Sequence, residues 1–137
     1  FPSFGTPNGK GILCDLDDKE LRKVFPKEYH NLLKFGFSFN NNKVTLSFLG
    51  MKNDVFFIES GKPTDFVTSM SKIMWGDTYE RWELDRKSLK LKKIKQTKLK
   101  HIHKCEVYSQ KIYLDKFEEM RKTFQKLNSI KLKGNKI

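Results

Sequence analysis

Three side chains that could hold a metal or act as a nucleophile and base lie close together near the C-terminal third of the chain. His101, His103 and Cys105 alternate in the sequence, so on a β-strand they point to one face. With Cys14 they form a set of two thiols and two imidazoles, which zinc accepts in tetrahedral sites. The cysteines are much farther apart than those of a zinc finger, and a disulfide would use up both thiolates. We therefore expect no cofactor, and keep His101 and His103 as zinc candidates only if the thiols are free.

Cys14 and Cys105 are the only two cysteines. An even number of cysteines in an exported chain indicates one disulfide, whereas in a cytosolic protein the same pair would be two separate buried thiols. The first residue is Phe1 rather than Met, which we interpret as a removed leader or a fragment. We expect a periplasmic or secreted protein, with both thiol states left open at this point.

A second candidate site is a basic block of nine lysines and arginines, with no acidic residue, between Arg86 and Lys104. Strand alternation makes Lys90 and Lys92 project together, and such a patch can contact phosphates. The competing interpretation is a solvated face in a lysine-rich chain of net charge +12, as an AT-rich genome would encode. The candidate anion-binding residues are Arg86, Lys90, Lys92, Lys93, Lys95, Lys98 and Lys100.

No motif of a known enzyme class is present. The sequence has no glycine-rich phosphate loop, no dinucleotide fingerprint and no ordered series of calcium ligands. Cys105 has Lys104 and His103 nearby, but a reactive thiol needs more than this composition. We therefore predict a protein that is not an enzyme.

The elements that must position these residues are mainly strands. Phe35, Phe37 and Phe39 alternate with small residues, and after three asparagines Val44 begins a second alternating run. Two such runs around an asparagine turn indicate a β-hairpin. Further short runs follow: a buried strand at 55–58, a hairpin across 71–84 and a closing strand at 101–107. We predict a mainly β (α+β) fold, an antiparallel sheet, sandwich or small barrel.

The C-terminal segment changes to helical spacing. Phe117, Met120, Phe124 and Leu127 fall on one face, and Asp115 is placed to cap the start. We predict a helix over 113–128 whose apolar face is a candidate docking site for a partner. The 137 residues make a single domain, with an irregular arm (1–10), a β-rich core (11–108), this helix and a basic tail (131–137).

The segment Trp82-Glu83-Leu84-Asp85-Arg86-Lys87-Ser88-Leu89-Lys90-Leu91, with Lys104-Cys105 after it and Gly11 to Cys14 before it, resembles a group of small exported proteins. These proteins are common in AT-rich marine alphaproteobacteria. The resemblance covers roughly residues 11–108. It implies a signal peptide, a Cys14–Cys105 bridge and an antiparallel β fold, and it carries over no catalytic or binding residue.

Two functions remain from the sequence. The first is an exported β-rich binding module or accessory subunit of a larger envelope assembly, held by one disulfide and docking a protein partner. The alternative is a basic protein that binds nucleic acid or an anionic envelope polymer through the 86–104 block. No stretch is long and apolar enough for a transmembrane segment.

Overall fold

The computed structural model describes residues 5–16, 27–30 and 32–135. Within these ranges it contains nine strands, a single 3₁₀ turn at Lys27–Tyr29 and one long helix. The helix is α1 (Gln110–Lys133). The strands are β1 (Lys10–Asp15), β2 (Lys34–Asn40), β3 (Lys43–Lys52), β4 (Val55–Ser60), β5 (Thr64–Thr68), β6 (Lys72–Gly76), β7 (Glu80–Asp85), β8 (Lys90–Lys95) and β9 (Lys98–Ser109). None of the described helices is long and apolar enough to cross a membrane.

Eight of the strands form a closed antiparallel barrel. Neighbours pair in the order β1, β2, β3, β5, β6, β7, β8, β9, and β9 returns to pair with β1. Each connection except β3 to β5 joins strands that follow one another in the chain, as in an up-and-down barrel. The structure therefore confirms the mainly β class and, of the three architectures predicted, has the barrel.

Aromatic side chains fill the barrel interior. Phe37 packs edge-on against Trp75 and Trp82, with ring centroids 4.9 and 5.1 Å apart, and Phe39 packs on Trp75 at 5.5 Å. An eight-stranded barrel is only wide enough for side chains to fill it. The alternating phenylalanines of β2 supply this filling. Because every second residue of a strand points to the same face, they appear in the sequence at period-2 spacing.

The tight turns of the barrel need left-handed backbone. The β2–β3 turn at Asn41 and Asn42 has φ angles of 52° and 60°, as expected for a two-residue hairpin with asparagine. The β8–β9 turn has φ 48° at Gln96 and 68° at Thr97, although neither residue type favours that conformation. Asn8 reinforces the first turn, because its side-chain oxygen accepts the N–H of Asn42 at 3.0 Å.

A disulfide joins the first and last strands of the barrel. Cys14 of β1 lies directly opposite Cys105 of β9, and their sulfur atoms are bonded. The predicted bridge is thus confirmed, and the described part of the chain has no free cysteine. Because β1 and β9 close the barrel, the bridge fixes its closure across 91 residues of sequence.

The two ends of the barrel differ. Residues 5–9 of the predicted arm cover one end, where the N–H of Gly9 donates to Phe39 at 2.7 Å and Pro7 is buried. Arg86 fixes this arm by donating to the carbonyl of Gly5 at 2.9 Å and to that of Ser69 at 3.3 Å. We name this the arm end and the other the polar end, which carries the charged and imidazole side chains described below.

Strand β4 lies outside the barrel and corrects one expectation. It pairs only with the distal half of β3, and only Phe56 is buried while Val55, Phe57 and Ile58 are exposed. The apolar run at 55–58 was therefore wrongly predicted to be a buried strand. Phe56 packs on Phe124 of α1, with ring centroids 5.8 Å apart, so the β3–β4 hairpin rests on the helix rather than inside the core.

Helix α1 is longer than predicted and packs on the outside of its own barrel. Ser109, not Asp115, caps its start by accepting the N–H of Ile112, and Gly134 ends it. Tyr113 and Phe117 are 1% exposed because Gly11 and Gly36 leave a notch on the barrel wall. A Cβ at Gly11 would lie 2.3 Å from Tyr113 Cγ, so only glycine permits this approach.

Candidate functional site

The outer surface of β6 to β9 carries a cluster of cationic side chains. Leu84, Leu91 and His103 point inward and are buried, so their neighbours in sequence point outward. Six cationic residues lie on or beside this surface, where the outward-facing carboxylates of β7 are Glu83 and Asp85. We name it the basic face; its cations are Lys72, Arg81, Lys90, Lys92, Lys100 and Lys104.

Two of these lysines stand directly opposite each other. Lys90 of β8 pairs in register with Lys104 of β9. Directly opposed residues of an antiparallel pair have Cβ atoms only about 5 Å apart, and like charges in that position are destabilising. Neither ammonium has a carboxylate within ion-pair distance among the residues described. The pair therefore costs the free barrel some stability.

The acid on this surface is already shared. Glu83 lies opposite Lys92 in the β7–β8 register, but its carboxylate pairs with Arg81 Nε at 3.3 Å and with Lys72 Nζ at 3.6 Å. Asp85 is occupied by the β7–β8 turn, where it accepts backbone N–H groups at 2.9 and 2.8 Å. These bonds hold the pKa of Asp85 below its ordinary value. These two carboxylates therefore form no ion pair with Lys90, Lys92 or Lys104.

The seven residues proposed from the sequence as anion ligands do not lie on one surface. Lys90 and Lys92 project together, as predicted, and Lys100 is exposed beside them where β9 has an irregular register. Lys93 points into the polar end. The other three are Lys95 and Lys98, opposed at the tip of the β8–β9 hairpin, and Arg86, which holds the arm.

Sequence reasoning missed three cations of the basic face. Lys72 and Arg81 come from β6 and β7, outside the basic block, and Lys104 ends the block but was not among the candidate anion-binding residues. The alternation of Ile73 with Trp75 already indicates that Lys72 faces away from the core. That signal could have extended the patch across four strands.

The polar end holds the two histidines that the sequence offered as zinc candidates. His101 and His103 share the inward face of β9, with ring centroids 4.3 Å apart. Lys93 Nζ lies 5.3 Å from the ring centre of Trp82 and 3.6 Å from a carboxylate oxygen of Glu80. These groups form a half-buried network of cation–π and ionic contacts that stabilises the barrel end.

Among the described residues, the polar end does not provide the set of ligands that zinc needs. Cys14 and Cys105 are consumed by the disulfide, which removes both thiolates. His103 Nδ1 lies 3.0 Å from the carbonyl oxygen of Asp15, so it donates to that oxygen. Residues 5–16, 27–30 and 32–135 contain no group of three or more His, Cys, Asp or Glu residues that could hold a metal ion.

A groove of about 310 Å³ lies between α1 and the outside of β1 and β9. Its size is at the lower limit for small-molecule pockets. It has an apolar floor and a charged rim; its lining residues are Leu13, Leu32, Lys34, Glu106, Tyr108, Lys116, Glu119, Met120 and Thr123.

The rim of this groove is largely neutralised by its own contacts. The Tyr108 hydroxyl donates to Glu106, which raises the pKa of Tyr108 to about 12. Lys116 Nζ lies over the Tyr108 ring, 4.9 Å from its centre, and Lys34 pairs with Asp15 at 2.6 Å. The groove therefore attracts a charged ligand far less than the basic face does.

The apolar face of α1 does not serve as the docking surface expected from the sequence. Phe117 and Phe124 are 1% and 0% exposed, while Met120 and Leu127 are partly buried in the same clusters. All four contact the protein's own barrel, hairpin or connecting segment. The apolar helix face that we predicted to bind a partner packs against the protein's own residues instead.

No protein-family model matches this chain, and no curated protein or solved structure is significantly similar to it.

Proposed function

We propose that this protein is an exported, non-enzymatic binding module whose basic face holds a linear anionic polymer, a nucleic acid or an envelope polyanion. The observation that carries the proposal is the Lys90–Lys104 pair, two like charges directly opposed on neighbouring strands, neither of which forms an ion pair with a carboxylate of the described residues. An anion bound between them would remove the repulsion. The energy that the free barrel loses to this pair is then recovered in the complex.

The spacing of the lysines suits a repeating ligand. Neighbouring strands are about 4.8 Å apart, and alternate residues along a strand are about 6.8 Å apart. Lys90, Lys92 and Lys104 therefore form a small grid of point charges rather than a pocket. Lysine lacks the planar, forked guanidinium of arginine and interacts with anions as a point charge. The basic face would therefore respond to the charge density of the polymer rather than to its sequence.

The absence of an aromatic residue among the strand positions that form this grid favours the same interpretation. Ile102 lies opposite Lys92 and is 46% exposed, and it offers no ring on which a base could stack. Single-strand binding proteins combine a basic groove with such stacking platforms. The basic face is therefore better suited to a double-stranded nucleic acid, or to a polyanion that has no bases, than to a single strand.

The disulfide supports export. Cys14–Cys105 joins the two strands that close the barrel, and disulfides persist in oxidising compartments. It also stiffens β9, which contributes Lys100 and Lys104 to the basic face. Because β9 is held rigid, less conformational entropy is lost when its lysines bind a ligand.

The test compares two double variants of equal net charge, one altered on the basic face and one altered on α1. Lys90→Gln with Lys104→Gln removes two charges there; Lys111→Gln with Lys126→Gln removes two exposed charges from α1. Binding to labelled duplex DNA and to inorganic polyphosphate is titrated at several salt concentrations. The first variant should bind more weakly, and its slope of log affinity against log salt on DNA should be shallower by about 1.8.

The two probes separate the possible ligands. Equal loss on DNA and polyphosphate indicates recognition of phosphate density, and loss on DNA alone indicates a nucleic-acid ligand. Equal weakening by the face variant and the helix control would refute the proposal, because net charge alone would then explain the binding.

A further inference from the structure

Strand β4 presents an open sheet edge. In the described part of the chain the barrel closes on itself, and β4 is the terminal strand added beside β3. A closed barrel has no edges, whereas an added strand has one. The edge of β4 is thus the place where another strand can pair with this sheet.

The backbone groups that face this edge follow from the β3–β4 turn. Asn53 and Asp54 form a two-residue turn with φ 52° and 64°, so the flanking Val55 bonds to β3 through its own N–H and C=O. Hydrogen bonding alternates along an antiparallel strand. The N–H and C=O groups of Phe56, Ile58 and Ser60 therefore point away from β3, toward the edge.

Helix α1 covers only the beginning of this edge. Gln125 Oε1 accepts the N–H of Phe56 at 2.8 Å, and the side-chain amides of Gln125 and Asn128 donate to the carbonyl of Asp54 at 3.0 and 3.3 Å. The edge-facing groups of Ile58 have no such partner among the residues described. The free part of the edge thus begins at the carbonyl of Phe56 and continues through Ser60.

The side chains of this strand protect it little. Exposed edges are usually guarded by charged residues, above all lysine, by proline or by a bulge, and Glu59 is the single charge in β4, Val-Phe-Phe-Ile-Glu-Ser. Val55 is 56% exposed, and Phe57 and Ile58 are each 37% exposed. In a chain with 28 lysines and arginines, the one open edge of the described sheet carries none.

We propose that β4 pairs antiparallel with β4 of a second copy of this chain, centred on Ile58. Edge-facing residues must oppose edge-facing residues, which leaves three central registers. Centring on Phe57 moves Lys62 of the other copy past the Asn53–Asp54 turn and away from Asp54, and centring on Glu59 places two Glu59 carboxylates together. Centring on Ile58 places Asp54 opposite Lys62 of the other copy. Charge therefore selects the Ile58 register.

In this register the two copies pair each other's free groups except the Ser60 carbonyl, because Gln125 already holds the Phe56 N–H that would face it. The two Ile58 residues exchange N–H and C=O bonds, and each Ser60 N–H reaches the Phe56 carbonyl of the other copy. Asp54 and Lys62 form an ion pair at each end. The contact is one strand wide, which places it among small, concentration-dependent interfaces.

The experiment follows amide exchange and sedimentation of the oxidised full chain between about 5 and 500 µM, a range suited to weak interfaces. The amides of Ile58 and Ser60 should gain protection as concentration rises, while those of Phe57 and Glu59, bonded to β3, stay protected throughout. A dimer in which Ile58 and Ser60 keep their exchange rates, or a chain that stays monomeric to the highest concentration, overturns the proposal.

Variants test the edge and the register. Ile58→Lys should abolish the dimer, whereas Val67→Lys, the same change at a 61% exposed residue of β5, should leave it intact. Lys62→Glu should weaken association about tenfold, and adding Asp54→Lys should restore it. Equal effects of the two lysine substitutions, or no recovery in the double charge reversal while the fold is intact, would contradict this pairing. No polyanion is present, so this result is independent of the proposed function.

Discussion

Replacing Gly11 with alanine should destabilise the contact between α1 and the barrel. The new Cβ would lie 2.3 Å from Cγ and 2.8 Å from Cβ of Tyr113. These two atoms are close to the helix backbone, so no rotation of the ring relieves the overlap. Ordinary contact needs about 3.5 Å, and the first turns of α1 would have to move outward by about 1 Å.

The cost can be estimated from the burial of that contact. Tyr113 is 1% exposed, and burial raises the pKa of its hydroxyl to about 12. Overpacking in a tight core costs about 1 to 3 kcal/mol, and the rigid atoms involved here place Gly11→Ala at about 2 to 3 kcal/mol. For a chain of this length that corresponds to a loss of about 7 to 10 °C in Tm.

The assay is urea unfolding of the oxidised protein, with Gly61→Ala as the matched control. A Cβ at Gly61 has its nearest neighbour at 3.7 Å, so that variant should stay within about 0.5 kcal/mol of the parent. In a Tyr113→Gly background, Gly11→Ala should cost little, because all three clashing atoms of the Tyr113 side chain, its Cβ included, are gone. A cost for Gly11→Ala equal to that of Gly61→Ala, or undiminished without the ring, would refute the packing of α1 described here.

Three further predictions concern the disulfide, the basic face and acid sensitivity. Reducing Cys14–Cys105 should lower the free energy of unfolding by about 4 to 5 kcal/mol, the chain-entropy value for a loop of this length, measured by urea unfolding with and without reductant; an unchanged midpoint would contradict the role of the bridge. Lys104→Glu should raise stability by about 0.5 kcal/mol, because it replaces the repulsion with Lys90 by attraction, and thermal unfolding that shows a loss would count against that contact. Since the backbone N–H groups of its turn lower the pKa of Asp85, its contribution is present above the unfolded value near 4 and is lost as pH falls through the lower folded value. Asp85→Asn should therefore reduce the acid sensitivity of unfolding in that range, and an unaltered pH profile would contradict this cause.

Local patterns predicted the central hairpin and the helix because their signals lie within a few residues. The alternating phenylalanines of β2 and the turn at Asn41–Asn42 are both local, and they are present as predicted. The helical spacing around Phe117 also holds. The spacing does not specify what packs against the apolar face of a helix. In this protein the helix packs against its own barrel.

Features that depend on distant pairings could not be predicted in the same way. Barrel closure requires β1 to meet β9 and β3 to meet β5, and a sandwich would have the same alternation. The apolar run of β4 predicts burial, yet this strand is added outside the barrel. The turn at Gln96–Thr97 has left-handed backbone without asparagine or glycine, so the start of β9 at Lys98 carries no turn signal.

The basic face was only partly predictable for a related reason. A run of basic residues in sequence becomes one surface only if the strand continues without irregularity. The register shift between Lys93 and Ile94, together with the inward position of Lys93 and the structural role of Arg86, divides the block among different places. Lys72 and Arg81 join the face from other strands, which only the sheet order reveals.

The most direct test of a polyanion site on the basic face is the salt dependence of duplex DNA binding by the unmodified, oxidised protein. With Lys90, Lys92, Lys100 and Lys104 each contacting one phosphate, log affinity should fall against log salt with a slope of about −3.6. Neutralising Lys90 and Lys104 should halve that slope, whereas the α1 control pair should leave it unchanged. Binding that does not respond to salt, or a slope unaffected by loss of these two lysines, would contradict a polyanion site on the basic face.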